Sequence, residues 1–423
     1  MAEAETWTAP ESSRSLDATV RVPGSKSLTN RAYVLAALAT GPTLVREPLV
    51  SRDTRLMLGA VSALGGGFAE TEEGTRIHPI EAGSGDATVT LGNAGTVARF
   101  TPALAALGGR TVRFDGDEAI RRRPLAPLLG ALSALGARID DDGRGAPPFT
   151  VTGHGGLAGG EVELDSSASS QFLSALLLAG PAFGEGVRVR LTGTPPSEPH
   201  IEMTLDILRR FGAAPERSGT EFFVPPAALS CPDFTIEPDL STAAPFVVAP
   251  LLTGGSVRVE GWPSYTTQPG DWLRSLVAEL GAKVELDEAG LTVTGTGDFG
   301  GGQFDLHEVG ELTPVIATLL CFADGPSVIS GVAHLRGHET DRLAALATEL
   351  SGLGAGVTET EDGLRITPAP MHAGVFHTYD DHRLVMAGAV AGLRVPGVQV
   401  ENPATVGKTF PGFVDAWTTL LHP

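Results

Sequence analysis

The clearest pattern in the chain is a recurring amphipathic helix that ends in Leu-Gly or Phe-Gly and is followed by a β-like run. Apolar residues three or four apart indicate helices, whereas alternation with a period of two indicates strands. Glycine just after the last apolar helical position is expected at a helix C-terminus, because it adopts positive φ without steric cost. The helix-ending glycines, spaced 69 to 76 residues apart, are Gly65, Gly136, Gly212, Gly281 and Gly354.

This spacing predicts an α/β chain of six repeats, each about 70 residues long and each with two helices and several strands. In the first repeat the helices are expected at 27–39 and 55–64, and the sixth repeat ends in the helical pattern FVDAWTTLLHP. Six repeats divide into three plus three, and the Pro-rich stretch 225–238 suits a boundary and hinge. A solenoid is the alternative, although its repeats are usually shorter.

Length and composition narrow the class of protein. A chain of 423 residues is expected to form two domains, and 42% hydrophobic with 19% charged residues indicates packed cores rather than disorder. The net charge of −20 argues against nucleic acid as a partner. The polar N-terminus resembles neither a signal nor a transit peptide, and the longest apolar run, near 172–183, is too short to span a bilayer. Cys231 and Cys321 form no CxxC pair, and a cytoplasmic location is expected.

Lysine is scarce, and two of the three lysines lie in Gly- or Ser-bearing segments that open helices. Lys26 stands in PGSKS, where Ser25 or Ser27 can cap a helix, and Arg31 follows one turn later. Free backbone N–H groups, a hydroxyl and two cations together form an anion site. The segment is not a P-loop, because Thr19 occupies the position of the first glycine.

Comparable chemistry recurs at other predicted helix starts. The residues concerned are Asn93, Gly95 and Arg99; Arg123, predicted as an N-cap with Pro124 at N1; Ser169, Ser170 and Gln171; Glu311; Arg342, in a helix starting at Glu339 or Thr340; Arg383; and Lys408. Each segment alone is also compatible with an ordinary capped helix or a solvated charge. Together, if they converge, they predict a site for phosphates and carboxylates. His334 and His338 suggest a metal, but Gly337 and the strand-like residues before it argue against a shared helical face, so no metal is expected.

In this order, PGSKS, LGNAGT, SSQF, ETDR, DHR and KTFP resemble the 5-enolpyruvylshikimate-3-phosphate synthase family, from Pro23 to Phe413. The resemblance implies a two-domain inside-out αβ barrel of the enolpyruvyl transferase type, with six βαβαββ repeats, three per domain. One domain would be 22–235, and the other 1–21 plus 236–423. The implied reaction moves the enolpyruvyl group of phosphoenolpyruvate to the 5-hydroxyl of shikimate 3-phosphate and releases phosphate, in the pathway to chorismate and aromatic amino acids. No metal or organic cofactor is implied. A monomer is the default expectation, and the domains are expected to close over the substrates, because the two sets of ligand-binding residues lie on different halves of the chain.

The resemblance assigns residues by position. Those implied to bind shikimate 3-phosphate are Lys26, Ser27, Arg31, Ser169, Ser170, Gln171 and Ser197. Those implied to bind phosphoenolpyruvate are Gly95, Arg123, Arg342, Arg383 and Lys408, with help from Lys26, Ser27 and Arg31. Asn93 and His338 are implied to contact substrate as well. Glu311 is the implied base for the 5-hydroxyl, and Lys26 or Glu339 the implied donor of the proton to the methylene carbon.

Four positions depart from the commonest pattern of the family. Glu311 stands where Asp is usual, His338 where Lys is usual, and His334 where Asn is usual. Glu198, in SEPH, removes a positive charge that the frequent Ser-Lys-Pro-Tyr supplies. The longer Glu311 side chain can still accept a hydroxyl proton.

Two other functions are alternatives, one with a different substrate specificity and one without catalysis. The enolpyruvyl transferase acting on UDP-N-acetylglucosamine commonly has an acidic Cys ahead of its Arg-Pro segment, where this chain has DGDEAIRRRP. A non-catalytic sugar-phosphate-binding relative is expected to lose Lys26, Glu311 or Lys408, and all three are present.

Overall fold

The computed structural model describes residues 5–421. They divide into two compact units. One unit is Gly24–Ile236, and the other joins the described residues up to Pro23 with those from Glu237 on. The chain passes from one unit to the other twice, and the second passage lies in the Pro-rich stretch noted above.

The strands are β1 (Thr6–Thr8), β2 (Leu16–Val20), β3 (Thr43–Arg46), β4 (Gly67–Thr71), β5 (Gly74–His78), β6 (Ser84–Thr90), β7 (Gly109–Asp115), β8 (Arg138–Asp140), β9 (Phe149–Thr152), β10 (Gly160–Leu164), β11 (Val187–Leu191), β12 (Glu216–Ser218), β13 (Glu221–Val224), β14 (Asp233–Thr235), β15 (Gly255–Glu260), β16 (Lys283–Asp287), β17 (Gly290–Gly295), β18 (Gln303–Asp305), β19 (Ser327–Ser330), β20 (Gly356–Glu359), β21 (Leu364–Thr367), β22 (Gly374–Phe376) and β23 (Val398–Glu401).

The α-helices are α1 (Lys26–Leu38), α2 (Arg52–Ala63), α3 (Gly95–Leu107), α4 (Glu118–Arg121), α5 (Ala126–Ala134), α6 (Ser170–Ala179), α7 (Glu198–Arg210), α8 (Ala244–Thr253), α9 (Leu273–Glu279), α10 (Thr313–Leu320), α11 (Arg342–Gly352), α12 (His382–Gly392) and α13 (Phe413–Leu421). Short 3₁₀ segments cover Gly180–Ala182, Pro269–Trp272, His307–Leu312, Ala333–Gly337 and Pro403–Lys408.

The repeat predicted from the glycine spacing is present in the strand pairing. In the repeat that begins at β6, β6 pairs parallel with β7, β7 pairs antiparallel with β9, and β9 pairs antiparallel with β8. The same sheet order recurs as β10-β11-β13-β12 and β18-β19-β21-β20. The sixth repeat is short, and β1 pairs antiparallel with β23 in the place that a hairpin strand has elsewhere. The fold class is therefore α/β with six repeats, as predicted.

Two sheets are completed by a strand from elsewhere in the chain. In sequence β2 opens the first repeat, but it pairs parallel with β15. In sequence β14 opens the fourth repeat, but it pairs parallel with β3. Among residues 5–421 each unit therefore has three sheets, and the chain passes between units directly after β2 and after β14.

Six helices are buried on nearly every face and form the two cores. They are α1, α3 and α6 in the unit Gly24–Ile236, and α8, α10 and α12 in the other. Within each unit these three helices pack against one another. The sheet strands alternate buried and exposed residues, as in the VRVRL run of β11. Helices inside and sheets outside match the inside-out arrangement that was predicted, and a solenoid is excluded.

The helix-ending glycines are confirmed, but two predicted helix starts are wrong. Each of the five helix-ending glycines has positive φ, between 90° and 107°. One wrong start is that of α11, expected at Glu339 or Thr340, because α11 begins at Arg342 with the Asp341 side chain as its N-cap.

The prediction at Arg123 and Pro124 is also wrong, because α5 begins at Ala126 with Leu125 as its N-cap. The backbone N–H of Leu125 donates to the Gly145 carbonyl at 2.7 Å, and this bond sets the later start. In the described part of the chain, no helix combines the length and the apolar character needed to cross a membrane.

Two glycines, one inside α5 and one just after it, test whether glycine is needed for positive φ at helix ends. Gly136, after α5, has φ +103, and an added Cβ would meet only an ordinary contact at 3.7 Å. We expect Gly136→Ala to destabilise the protein by about 1–2 kcal/mol, the cost of a left-handed non-Gly residue. Gly130 lies inside α5 with open space around it, so Gly130→Ala should stabilise by about 0.5–1 kcal/mol. Urea unfolding measures the free energy of unfolding of both variants. A change of the same sign in the two variants would contradict this expectation.

Candidate active site

The first helix of the unit Gly24–Ile236 begins at a serine cap, one of the two that the sequence allowed. The Ser25 hydroxyl accepts a hydrogen bond from the Leu28 backbone N–H at 3.4 Å. Lys26, the first residue of α1, lies 3.9 Å from the Asp53 carboxylate at the start of α2. Ser27 follows, and its carbonyl accepts from the Arg31 guanidinium at 3.1 Å. A helix N-terminus with exposed N–H groups and a cation suits an anion.

Hydrogen bonds join the N-terminal ends of the three core helices in this unit. The Asn30 amide in α1 donates to the Thr96 hydroxyl in the first turn of α3 at 2.8 Å. Arg99 of α3 donates to the Gln171 side-chain oxygen in the first turn of α6 at 3.3 Å. Arg31 donates to the Ser174 hydroxyl of α6 at 3.4 Å. The helix openings that the sequence predicted therefore converge within this unit.

Arg31 is the most deeply buried cation of this unit, with 1% of the residue exposed. Its other hydrogen bonds go to the Thr204 hydroxyl at 2.9 Å and to the His200 carbonyl at 3.2 Å. These partners are neutral oxygens, so they satisfy the N–H groups without balancing the charge. Burial accordingly lowers the pKa of Arg31 to about 9. The group is still charged at neutral pH, and an anion beside it would be stabilised.

Arg99 has a similar environment. Burial, and then the positive charge of Arg123, lower the pKa of Arg99 to about 10. A Cβ added to Gly95 would lie 2.4 Å from one Arg99 nitrogen and 3.3 Å from one Arg123 nitrogen. Gly95 thus lets two guanidinium groups come close to the backbone at the start of α3. The Asn93 side-chain oxygen, just before this turn, is buried and has no hydrogen-bond partner among the described residues.

The start of α6 supplies hydroxyl groups. The Ser169 hydroxyl caps the helix by accepting from the Gln171 N–H at 3.3 Å, and Ser170 is buried directly after it. Ser197, also buried, is the N-cap residue of α7. Three serines at the starts of two neighbouring helices can donate hydrogen bonds to phosphate oxygens.

The other unit has its cations beside carboxylates. Arg342, the first residue of α11, donates to both oxygens of Asp381 at 2.8 and 3.0 Å, in the bidentate geometry that favours this pair. Burial lowers the pKa of Arg342, but the Asp381 charge and hydrogen bonds outweigh burial, so the pKa is raised. The third Arg342 contact is His338 Nδ1, at 3.2 Å. Removal of the His338 ring from water, and then the Arg342 charge, hold the pKa of His338 well below 6.5, so the imidazole is neutral.

Glu339 is bound between the side chains of Lys408 and His382. Lys408 donates to one of its oxygens at 2.7 Å, and His382 Nδ1 lies 3.0 Å from the other. Burial raises the pKa of Glu339, but His382, Lys408 and Arg342 outweigh burial and hold the pKa well below 4.5. Glu339 is therefore a carboxylate at neutral pH.

Glu311 and Arg383 complete this group. Glu311 lies just before α10, and one of its oxygens accepts from the Ser241 hydroxyl at 3.2 Å. Arg383 is buried in the first turn of α12, and its backbone N–H donates to Asp381 at 2.9 Å. Burial lowers the pKa of Arg383, whereas the charges of Asp239 and Glu311 raise it in part.

Comparisons with known proteins bear on this chemistry. Residues 10–417 match the family described as EPSP synthase (3-phosphoshikimate 1-carboxyvinyltransferase). The chain belongs to the EPSP synthase family. A 3-phosphoshikimate 1-carboxyvinyltransferase from Kocuria rhizophila is 49% identical over 433 aligned positions, which cover 99% of this chain and 97% of the relative.

Solved structures agree with the family membership. An EPSP synthase from Acinetobacter baumannii superposes with a TM-score of 0.83 at 25% identity and covers 98% of both chains. The enolpyruvyl transferase NikO from Streptomyces tendae has a TM-score of 0.76 at 19% identity, covering 99% of this chain and 98% of that one, which shows a common fold.

Three EPSP synthase site contacts were missed by the sequence reasoning. Asp381 and His382 hold Arg342 and Glu339, although the DHR motif drew attention to Arg383 alone. Ser241 holds Glu311. Asp381 could have been predicted as an N-cap, because two acidic residues precede HR at a predicted helix start. Nothing in the sequence predicts the contact between Ser241 and Glu311.

One acidic group of this EPSP synthase family member has metal-ligand chemistry. Oxygen and nitrogen atoms of Glu339, Asp381 and His382 lie within 4.8 Å of one another. Both carboxylates are already balanced by Lys408 and Arg342, which an added metal ion would have to displace or repel. We therefore assign these residues to the ion-pair network, and the absence of a metal stays a prediction.

The pKa of Glu339 gives a stability prediction with a definite sign. A carboxylate whose folded pKa is lowered contributes stability above its unfolded pKa, and loses it as the pH falls toward the folded pKa. We expect Glu339→Gln to destabilise by about 2 kcal/mol at pH 7, the cost of a weakened buried charge pair. The difference from wild type should shrink below about pH 4.5, the ordinary value for Glu. Urea unfolding at several pH values measures this difference in the free energy of unfolding. A difference that grows as the pH falls would contradict a lowered pKa for Glu339.

Proposed function

We propose that this chain transfers the carboxyvinyl group of phosphoenolpyruvate to the 5-hydroxyl of shikimate 3-phosphate and releases phosphate. The observation that carries the proposal is the set of buried guanidinium groups at converging helix starts, foremost Arg31, whose partners are neutral oxygens. Both substrates are multiply anionic, and such groups stabilise anions in a site of low dielectric. The name of the Kocuria relative supports the choice of reaction.

Shikimate 3-phosphate is assigned to the unit Gly24–Ile236. Arg31 and Lys26 supply charge for its anionic groups, and Ser169, Ser170 and Ser197 supply hydroxyl donors for its phosphate. Gln171 is oriented by Arg99, which occupies its side-chain oxygen and leaves the amide N–H groups for the ring hydroxyls. Ser27 and Asn93 are assigned to the same substrate.

Phosphoenolpyruvate is assigned mainly to arginines, because a guanidinium fork matches carboxylate and phosphate oxygens. Arg342 is preorganised by Asp381, and Arg383 is buried with only partial charge compensation. The remaining groups assigned to this substrate are Gly95, Arg123, Lys408 and, through its neutral ring, His338.

The proton transfers divide between three groups. In the addition step, the hydroxyl oxygen bonds to C2 of phosphoenolpyruvate while Glu311 takes the hydroxyl proton, and a proton is added to the methylene carbon C3. In elimination, the bond from C2 to phosphate breaks, C3 loses a proton and the double bond forms again. Because its neighbours hold Glu339 ionised, it has no proton to donate at neutral pH, and we assign it as the acceptor of the C3 proton in the elimination step. Lys26 is then the better supported donor in addition.

Glu311 is the residue on which turnover should depend most. Glu311→Gln keeps the volume and the contact with Ser241 but removes the base, so we expect kcat to fall at least about 100-fold, the usual effect of a general base. The Kd of shikimate 3-phosphate, measured by calorimetry, should change less than about twofold. Glu279→Gln, an exposed charge-matched change in the same unit, should leave both quantities unaltered. Near-normal turnover of Glu311→Gln would overturn the assignment.

One assay separates the alternatives for the whole chain. Phosphate release from phosphoenolpyruvate is measured with shikimate 3-phosphate, with UDP-N-acetylglucosamine and with neither. We expect release with shikimate 3-phosphate alone. Release with the nucleotide sugar would favour the other transferase, and no release at all would favour a binding protein. A monomeric state and a cytoplasmic location stay predictions from the sequence.

A further inference from the structure

The loop before α12 adopts a backbone conformation that ordinary residues avoid. Tyr379 and Asp380 are consecutive non-glycine residues in the left-handed region, with φ of 52° and 56°. Asn402, which follows β23, is also left-handed, with φ of 42°. Such conformations persist only when surrounding contacts hold them, and they cluster at functional sites.

Glu349 supplies two of those contacts. One of its oxygens accepts from the Tyr379 hydroxyl at 2.6 Å, and the other accepts from the His377 backbone N–H at 2.9 Å. Glu349 is only 5% exposed whereas Tyr379 is 45% exposed, so the carboxylate is buried and both hydrogen bonds are partly buried. Seven positions along α11 separate Glu349 from Arg342, which is about two helical turns and places them on the same face.

The strained loop leads directly into the groups that hold the cations of this unit. It ends at Asp381, which caps α12 and binds Arg342 with both oxygens. On its other side the Asn402 amide donates to the Asp380 carboxylate at 2.6 Å. Asn402 immediately precedes the 3₁₀ segment that ends at Lys408. One loop is thus connected to Arg342 and to the segment of Lys408.

We propose that Glu349 is a positioning residue for phosphoenolpyruvate, acting by holding the strained loop that orients Asp381 and, through it, Arg342. The inference rests on the proposed function. Arg342 and Glu349 belong to the same helix, α11. Arg342 binds Asp381, and Glu349 holds the loop that leads to Asp381, so the helix contacts this loop at both of its ends. Release of the loop would let the Asp381 carboxylate shift, and the Arg342 fork would lose its alignment. A misplacement of about 1 Å costs up to about 100-fold in such sites.

The primary test is Glu349→Ala, which removes both hydrogen bonds without changing a residue assigned to substrate. We expect the KM for phosphoenolpyruvate to rise at least about tenfold. The calorimetric Kd of shikimate 3-phosphate should stay within about twofold, because its assigned ligands belong to the unit Gly24–Ile236. A general loss of folding would weaken both substrates together, so the split separates positioning from mere stability.

Conservative variants sharpen the test. Glu349→Gln can accept from the His377 N–H and donate to the Tyr379 hydroxyl, so it should recover most of the affinity for phosphoenolpyruvate. Tyr379→Phe removes one hydrogen bond and should raise the KM about threefold, the effect of losing a single net hydrogen bond. Glu279→Gln serves as the exposed control and should match wild type.

The outcomes are distinguishable. A KM within twofold of wild type in Glu349→Ala, or an equal weakening of both substrates, would overturn the inference. If Glu349→Ala does not fold, Tyr379→Phe decides: a raised KM with unchanged binding of shikimate 3-phosphate supports the inference, and an unchanged KM overturns it. Failure of the wild-type chain to release phosphate with shikimate 3-phosphate would instead remove the proposed function on which the inference rests.

Discussion

A guanidinium group taken out of water must be surrounded by oxygen atoms, and the two units of this chain meet that requirement differently. In the unit Gly24–Ile236, Arg31 is surrounded by hydroxyl and carbonyl oxygens, and its pKa is lowered to about 9. In the other unit Arg342 is paired with Asp381, and its pKa is raised. The first arrangement leaves a charge that favours an incoming anion, and the second fixes a guanidinium in one orientation.

This difference suits a reaction between two anions in a protein of net charge −20. The overall charge repels anionic substrates at a distance, but screening confines that effect, and the local cations decide what binds. The fold brings these cations together, because each repeat contributes one core helix that packs against the core helices of the other repeats in its unit. Convergence of helix starts then follows from packing of the three core helices in each unit, and no single motif has to create the site.

The sequence predicted the parts of the structure that depend on local chemistry. Gly136 and its four counterparts follow from the need for positive φ, and the cap of α1 was predicted as Ser25 or Ser27, of which the structure has Ser25. Family motifs named Arg342 and Arg383. The later start of α5 was not predictable, because it depends on a hydrogen bond between Leu125 and Gly145, twenty residues apart. The pairing of β2 with β15 likewise depends on contacts that no local pattern encodes.

Binding of shikimate 3-phosphate to an Arg31→Met variant tests the central claim most directly. The charge of Arg31 is predicted to be reserved for a substrate anion, so the calorimetric Kd should rise at least about 100-fold, the cost of leaving a buried anion without its charged partner. Arg188→Met, a change in the same unit at an arginine that lies over the Phe223 ring, is the matched control and should bind like wild type. An Arg31→Met protein that folds and binds shikimate 3-phosphate within twofold of wild type would contradict the account.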